Sequence, residues 1–172
     1  PDLISTSSMA NGSLYACIGE IVDDVSLSSL CIRTGATITA GALAVLAVGS
    51  VNMANMRPLT LLGQTAQFAC ATASTNFEAA IVGAPLVLPK GLYAFVAMVN
   101  NPTTAVTPAV ALTSNANIMR RVGSATLAGA FVSAGRIGSS AAGLTFGTIP
   151  ADLTSLTWVD DAARAPKLRV KI

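Results

Sequence analysis

Histidine is absent from this 172-residue chain, and that gap removes more chemistry than any other in the composition. Without an imidazole there is no Ser-His-Asp or Cys-His nucleophile in its usual form, and the commonest metal ligand is missing. A Ser-Lys pair would have to use Lys90, Lys167 or Lys171, and the last two fall in a C-terminal segment that reads as a solvated strand. Carboxylates are thin as well: Asp2, Glu20, Asp23, Asp24, Glu78, Asp152, Asp160 and Asp161. Glycosidase chemistry needs two of them converging on one cleft, about 5–10 Å apart. Asp23-Asp24 and Asp160-Asp161 are instead sequence neighbours, which point to opposite faces in a strand and cap local N–H groups in a turn. The glycine-rich stretches at Gly135–Gly138 and Gly143–Gly147 lack the Gly-Lys-Ser/Thr ending of a phosphate loop. The expectation is a chain that is not an enzyme and holds no cofactor. A weak cation site at Asp160-Asp161 is the one metal alternative.

Charge is the second scarcity. Charged residues make up 10% of the chain, against about 25% in an ordinary soluble domain. Spread over a folded surface of roughly 7,800 Å², that is one charge per roughly 430 Å². Uncharged patches larger than a monomer usually shows are then hard to avoid. Burial between subunits is the natural remedy, so the composition points to oligomer or lattice contacts. Disorder is excluded, since 52% of residues are apolar and too little charge is present to keep the chain expanded.

Three cysteines, Cys17, Cys31 and Cys70, match no metal or redox spacing. The odd count favours reduced, buried thiols, with a Cys17–Cys31 bridge as the alternative. No charge occurs between Arg33 and Arg57, and Ala40–Val51 (AGALAVLAVGSV) is strongly apolar. Its apolar heart is nonetheless shorter than the roughly 20 residues a spanning helix needs, so a buried element is expected and no membrane partner. The N-terminal PDLISTSSMANGS has no basic region followed by an apolar run, so no signal peptide is expected.

What is present is short-range punctuation. Asn11-Gly12, Asp23-Asp24, Gly35, Arg57-Pro58, Gly63, Gly83-Ala84-Pro85, Pro89-Lys90-Gly91, Asn100-Asn101-Pro102, Gly123, Gly135 and Gly147–Pro150 break the chain at close intervals. β-Branched and aromatic residues lie between them, the pattern of a sandwich or barrel. Leu14–Val22 and Val25–Arg33 read as strands joined at Asp23-Asp24 by a hairpin or a tight corner. Leu86–Leu88, the turn at Pro89–Gly91 and the strand Leu92–Val99 follow the same logic. Ala40–Val48 is taken as a strand, although alanine and leucine would also suit a short helix. Val106–Leu112 is a weaker strand, confined by Pro108 to an edge or bulge. Asp161–Arg164 has room for one helical turn. The fold class expected is therefore all-β, a single-domain antiparallel β-sandwich over residues 1–172, with residues 1–12 as an N-terminal arm.

The last eleven residues stand apart in charge. Residues 1–161 carry six Lys/Arg against eight Asp/Glu, whereas 162–172 carry four Lys/Arg and no acid, which together give the net +2. Within this basic C-terminal strand, Lys167, Arg169 and Lys171 alternate with Leu168, Val170 and Ile172, the period of a half-buried strand with cations on its wet face. Nucleic-acid binders combine a wider basic face with aromatic platforms, so no nucleic-acid partner is expected. Lys167, Arg169 and Lys171 are the expected docking strand for an acidic partner surface, or an edge guarded by charge. Deleting Lys167–Ile172 is expected to release the protein from that partner. Arg120-Arg121 is either an interface or a loop pair. Trp158, the single tryptophan, beside Asp160 and Asp161 is the one constellation suited to sugar stacking, although a core or interface role for Trp158 is the commoner one.

The central segment also carries a resemblance. Leu61-Leu62-Gly63-Gln64-Thr65-Ala66 is followed by a small, polar stretch with Phe77, and then by Ala84-Pro85-Leu86-Val87-Leu88-Pro89-Lys90-Gly91-Leu92-Tyr93. This order is similar to small β-sandwich, jelly-roll-like virion proteins of tailed bacteriophages, of the head decoration or minor tail type and particularly from phages of actinobacteria. The resemblance covers roughly residues 13–112, with Cys31–Ala40 a further echo. Its motifs are structural: Pro89 and Gly91 set a turn, and Tyr93 and Phe95 share one face of the next strand. The chain departs from the family in its few aromatics and in having no long N-terminal attachment region, which leans towards a compact piece seated directly on the virion. The resemblance implies a jelly-roll-like sandwich, self-association as a homotrimer, capsid or tail proteins as partners, and virion localisation after assembly in the host cytoplasm. It transfers no catalytic residue. The alternative function is a receptor-binding module of a phage tail that recognises a host-surface glycan through Trp158.

Overall fold

The computed structural model describes residues 12–34, 39–73, 75–100, 119–121, 136–139, 144–159 and 169–171. Every regular element among them is a β-strand, and every strand pairing is antiparallel. In chain order they are β1 (Leu14–Ile21), β2 (Val25–Leu27), β3 (Ser29–Arg33), β4 (Leu43–Asn52), β5 (Arg57–Gln64), β6 (Phe68–Ala69), β7 (Asn76–Ala80), β8 (Leu86–Leu88), β9 (Gly91–Asn100), β10 (Met119–Arg121), β11 (Arg136–Ser139), β12 (Trp158–Val159) and β13 (Arg169–Lys171). The large sheet runs β12-β11-β1-β9-β4-β5, with β10 also on β1 and β6 also on β4. Two small sheets, β13-β3-β7 and β2-β8, complete the set.

The apolar run that raised the membrane question is β4, the strand expected there. Its composition follows from burial on both faces. Ala44, Leu46 and Val48 join one core with Tyr15 and Ile21 of β1 and Phe95, Ala97 and Val99 of β9. Val45, Ala47 and Val51 face the other way, into a second core with Leu14, Ala16, Ile18, Ala94, Val96 and Met98. A strand covered on one side alternates apolar with polar; one covered on both sides reads as continuous hydrophobe. Among the described residues no helix is long and apolar enough to cross a membrane.

The first core lies between the large sheet and the small ones. Val25 and Leu27 of β2, Leu30 and Ile32 of β3, and Leu88 of β8 supply its other wall, with Phe77 and Tyr93 at the margin. Two corners carry the chain between these layers. Asp23-Asp24 lies between β1 and β2, and the turn at Pro89 between β8 and β9, while β1 pairs β9 and β2 pairs β8. Asp23-Asp24 is thus a corner and not a hairpin. The two corners are joined by the Lys90 N–H donating to Asp24 Oδ1 at 2.8 Å, and the Tyr93 hydroxyl donates to the Pro89 carbonyl at 2.8 Å. Tyr93 and Phe95 border the same core, as the resemblance implied. The expected strand Val25–Arg33 is divided at Ser28, where the partner changes from β8 to β7 and the Ser28 carbonyl accepts the Ile81 N–H.

Residues 144–158 cover the second core, through Leu144, Phe146, Ile149, Leu153, Leu156 and Trp158. This segment also closes the edge of the large sheet. Thr60 bridges Asp152, the Leu61 N–H donates to the Ala151 carbonyl at 2.9 Å, and the Leu153 N–H donates to the Leu59 carbonyl at 3.0 Å. Six strands spaced about 4.8 Å apart would hold β5 and β12 roughly 24 Å from each other in a flat sheet. Here Leu153 sits on β5 while its carbonyl accepts the Trp158 indole N–H of β12 at 2.8 Å, and the Arg57 guanidinium donates to the Trp158 carbonyl. The large sheet therefore curls around the second core until its two edges meet across residues 151–159. The expected strand at Val106–Leu112 and turn at Asp161–Arg164 lie outside the described residues.

Candidate interaction surfaces

Trp158 is 4% exposed, packed in the second core, with its indole N–H already donated to Leu153. The glycan expectation needed this ring open to a sugar face, and burial closes it. The commoner role for a lone tryptophan holds, because one large apolar ring with one polar tip is best satisfied where a backbone carbonyl meets the N–H. Asp160, Asp161 and Lys167 lie outside the described residues.

Arg169 and Lys171 lie in a strand, as their alternation required. β13 pairs β3 in the register Arg169–Cys31, Val170–Leu30 and Lys171–Ser29. Deleting Lys167–Ile172 would thus strip a strand from the small sheet as well as any docking group, so substitution within an intact strand is the cleaner test. Arg120 and Arg121 lie in β10, opposite Glu20 and Gly19 of β1. They are strand residues, not a loop pair.

Exposed apolar side chains occur between β5 and β8. From Pro58 to Pro89 the chain carries a single charge, Glu78. Leu62, Val82 and Val87 are 40%, 66% and 68% exposed. The backbone that carries them comes together at two points. The Val82 N–H donates to the Gln64 carbonyl at 2.8 Å, and a Cβ built on Gly63 would lie 3.1 Å from Leu86 Cδ2 and 3.2 Å from Ile81 Cγ2. Around them, Thr60, Ala66, Gln67, Ala80, Gly83, Ala84 and Pro85 are exposed and uncharged.

Several polar groups inside the molecule are spent on backbone. The Thr34 hydroxyl, in a residue 2% exposed, donates towards the Thr72 carbonyl at 2.6 Å and the Thr75 carbonyl at 3.2 Å, and accepts the Thr75 N–H at 3.0 Å. The Thr65 hydroxyl accepts the Leu46 N–H at 3.1 Å where β5 leaves β4. Asp152 accepts the Thr154 N–H at 2.9 Å and its hydroxyl at 2.6 Å, and those two bonds hold its carboxyl below the usual range. It caps a turn, the role given to the other sparse carboxylates. No disulfide joins any of the three cysteines, and burial pushes the Cys70 thiol up to about 11. Among the described residues no three of Cys, Asp and Glu gather where they could hold a metal ion. No family model matches the chain, and no curated protein or solved structure is significantly similar to it.

Proposed function

We propose that this chain is a structural virion protein of a tailed phage, an oligomeric head decoration (cement) protein or compact tail component that binds a protein lattice, and not an enzyme. The observation that carries the reading is the charge-poor stretch of residues 58–89, where Leu62, Val82 and Val87 are exposed and Glu78 is the one charge. Exposed apolar side chains in a surface poor in charge mark a contact site, and obligate subunit contacts bury about 2,000 Å² or more. Self-association along this stretch, as the homotrimer of the jelly-roll-like phage proteins that the Leu61–Tyr93 motifs resemble, removes it from water. Capsid or tail proteins are the further partners, and the virion is the place of residence.

Immunogold electron microscopy of intact particles, with antibody raised against this chain, tests the reading. Gold over the head is expected for a decoration protein and gold at the tail for a tail component. Particles without gold would refute the virion assignment. The self-contact has its own measurement: Val82→Glu with Val87→Glu should turn an oligomer into monomer in sedimentation velocity, with the far-ultraviolet spectrum unchanged.

A further inference from the structure

The three-stranded sheet has an outer face that the composition alone did not assemble. Leu30 and Ile32 of its central strand, β3, are buried in the first core. Alternation therefore puts positions 29, 31 and 33 on the side away from that core. Residues directly opposite across an antiparallel pair share a face. The register Ser29–Ala80, Cys31–Glu78 and Arg33–Asn76 adds three positions from β7, and Arg169–Cys31 and Lys171–Ser29 add two from β13. Asn76, Glu78 and Ala80 are exposed, so the face is open on its β7 side, while on β3 Ser29 is buried and Cys31 half-buried.

Three cations thus occupy neighbouring positions on one small sheet: Arg33, Arg169 and Lys171. Arg169 and Lys171 are two residues apart on one strand, about 6.7 Å, and Arg33 is diagonal to Arg169, about 7–8 Å. The one acid among these positions, Glu78, accepts the Ser29 hydroxyl at 2.7 Å. Three cations against one carboxylate leave +2, which equals the formal net charge of the whole chain.

Edge protection does not account for the set. Charge that guards a sheet belongs on the edge strand, and Arg33 belongs to the central strand of the order β13-β3-β7. Nucleic acid fits poorly too. The eight positions hold Ser, Cys, Arg, Asn, Glu, Ala, Arg and Lys, with no aromatic on which a base could stack. A face that sets three cations among four small side chains suits a protein surface that presents carboxylates.

We infer that the outer face of the β13-β3-β7 sheet, with Arg33, Arg169 and Lys171 as its cations, is a docking surface for an acidic protein surface. The proposed function supplies the identity of that partner, a lattice protein; the chemistry of the face stands without it.

The test uses the full chain and a defined probe, poly-L-glutamate, with single-stranded DNA of matched charge beside it. Binding is followed by isothermal titration at two salt concentrations. Poly-L-glutamate should bind the wild-type chain, more weakly at higher salt. The triple variant Arg33→Gln, Arg169→Gln, Lys171→Gln should bind about tenfold more weakly, as the sum of three exposed ion pairs. Lys90→Gln, away from this sheet, should bind as wild type. Equal binding by wild type and triple variant, with thermal unfolding unchanged in both, overturns the proposal. Tighter binding of the DNA than of poly-L-glutamate overturns the assignment of a protein partner. If the triple variant unfolds, backbone amide shifts of wild type on titration replace it: they should move in β3, β7 and β13, and shifts confined elsewhere refute the face. Neither readout depends on where gold falls on a particle, so this inference and the virion reading fail separately.

Discussion

Leu153→Ala should loosen the layer that closes the large sheet, and the structure sets its size. Leu153 is fully buried, and the substitution removes about three carbons, worth about 2.4 kcal/mol in transfer free energy at about 0.8 per CH₂. A rigid site would add a cavity term and bring the loss towards 5 kcal/mol. Residues 151–153 are pinned to β5 by the bonds from Leu61 to Ala151 and from Leu153 to Leu59, but on the side away from β5 the segment is a loop, which can settle partly into the space. A loss of about 3 kcal/mol is expected. A second substitution isolates the contact. A Cβ at Gly49 would lie 3.0 Å from Leu153 Cδ1 and 3.0 Å from the Thr60 carbonyl oxygen. Gly49→Ala alone should therefore cost about 1–3 kcal/mol through overpacking. In the Leu153→Ala background one of its two clashes is gone and the backbone clash remains, so Gly49→Ala should cost less there by about 1 kcal/mol. Urea denaturation followed by the emission of Trp158, whose indole bonds to Leu153, measures all four corners of the cycle. Additive effects, or a loss below about 1 kcal/mol for Leu153→Ala, would refute the placement of this segment over the second core.

Three further outcomes follow from the same packing. Trp158 should emit as a buried indole and resist acrylamide until the chain unfolds; ready quenching in the native state would contradict its 4% exposure. The Cys70 thiol should escape a maleimide at neutral pH in the folded protein. Because its folded pKa of about 11 exceeds the reference 9.0, its contribution is complete below pH 9 and is lost as pH rises towards 11, about 2–3 kcal/mol in all. Stability curves of Cys70→Ala should lack that alkaline decline. Thr34→Val, which removes the hydroxyl that holds the Thr75 N–H and points to two carbonyls, should cost about 2 kcal/mol, and Thr34→Ser should cost much less, both read by thermal unfolding.

Strand positions were legible because their signals are local. The turn residues around Asp23-Asp24 and Pro89–Gly91 bound β1, β2, β8 and β9 within a residue or two, and the period-2 pattern of the C-terminus marked β13. The sheet that each strand joins was not legible. Val25–Arg33 reads as one strand, yet it changes partner at Ser28, since antiparallel pairing depends on what β7 and β8 bring to it. β4 was ambiguous between strand and helix, as a segment buried on both faces carries no alternation. Trp158 and the acidic pair beside it look alike whether the ring is a platform or a plug. Only the curl of the large sheet, which brings Leu153 and β5 to Trp158, makes it a plug.

Composition was enough to remove histidine-dependent chemistry, to require uncharged surface, and to make the chain all-β, because each depends on residue type or on neighbours a few positions away. Tertiary structure alone brought Gly63 of β5 against Ile81 and Leu86, put Arg33 in the same small sheet as Arg169 and Lys171, and closed residues 144–158 over a second core. Those juxtapositions join residues as many as 138 positions apart (Arg33 and Lys171), and no local pattern encodes them. They are set by which apolar faces find each other when the whole chain collapses.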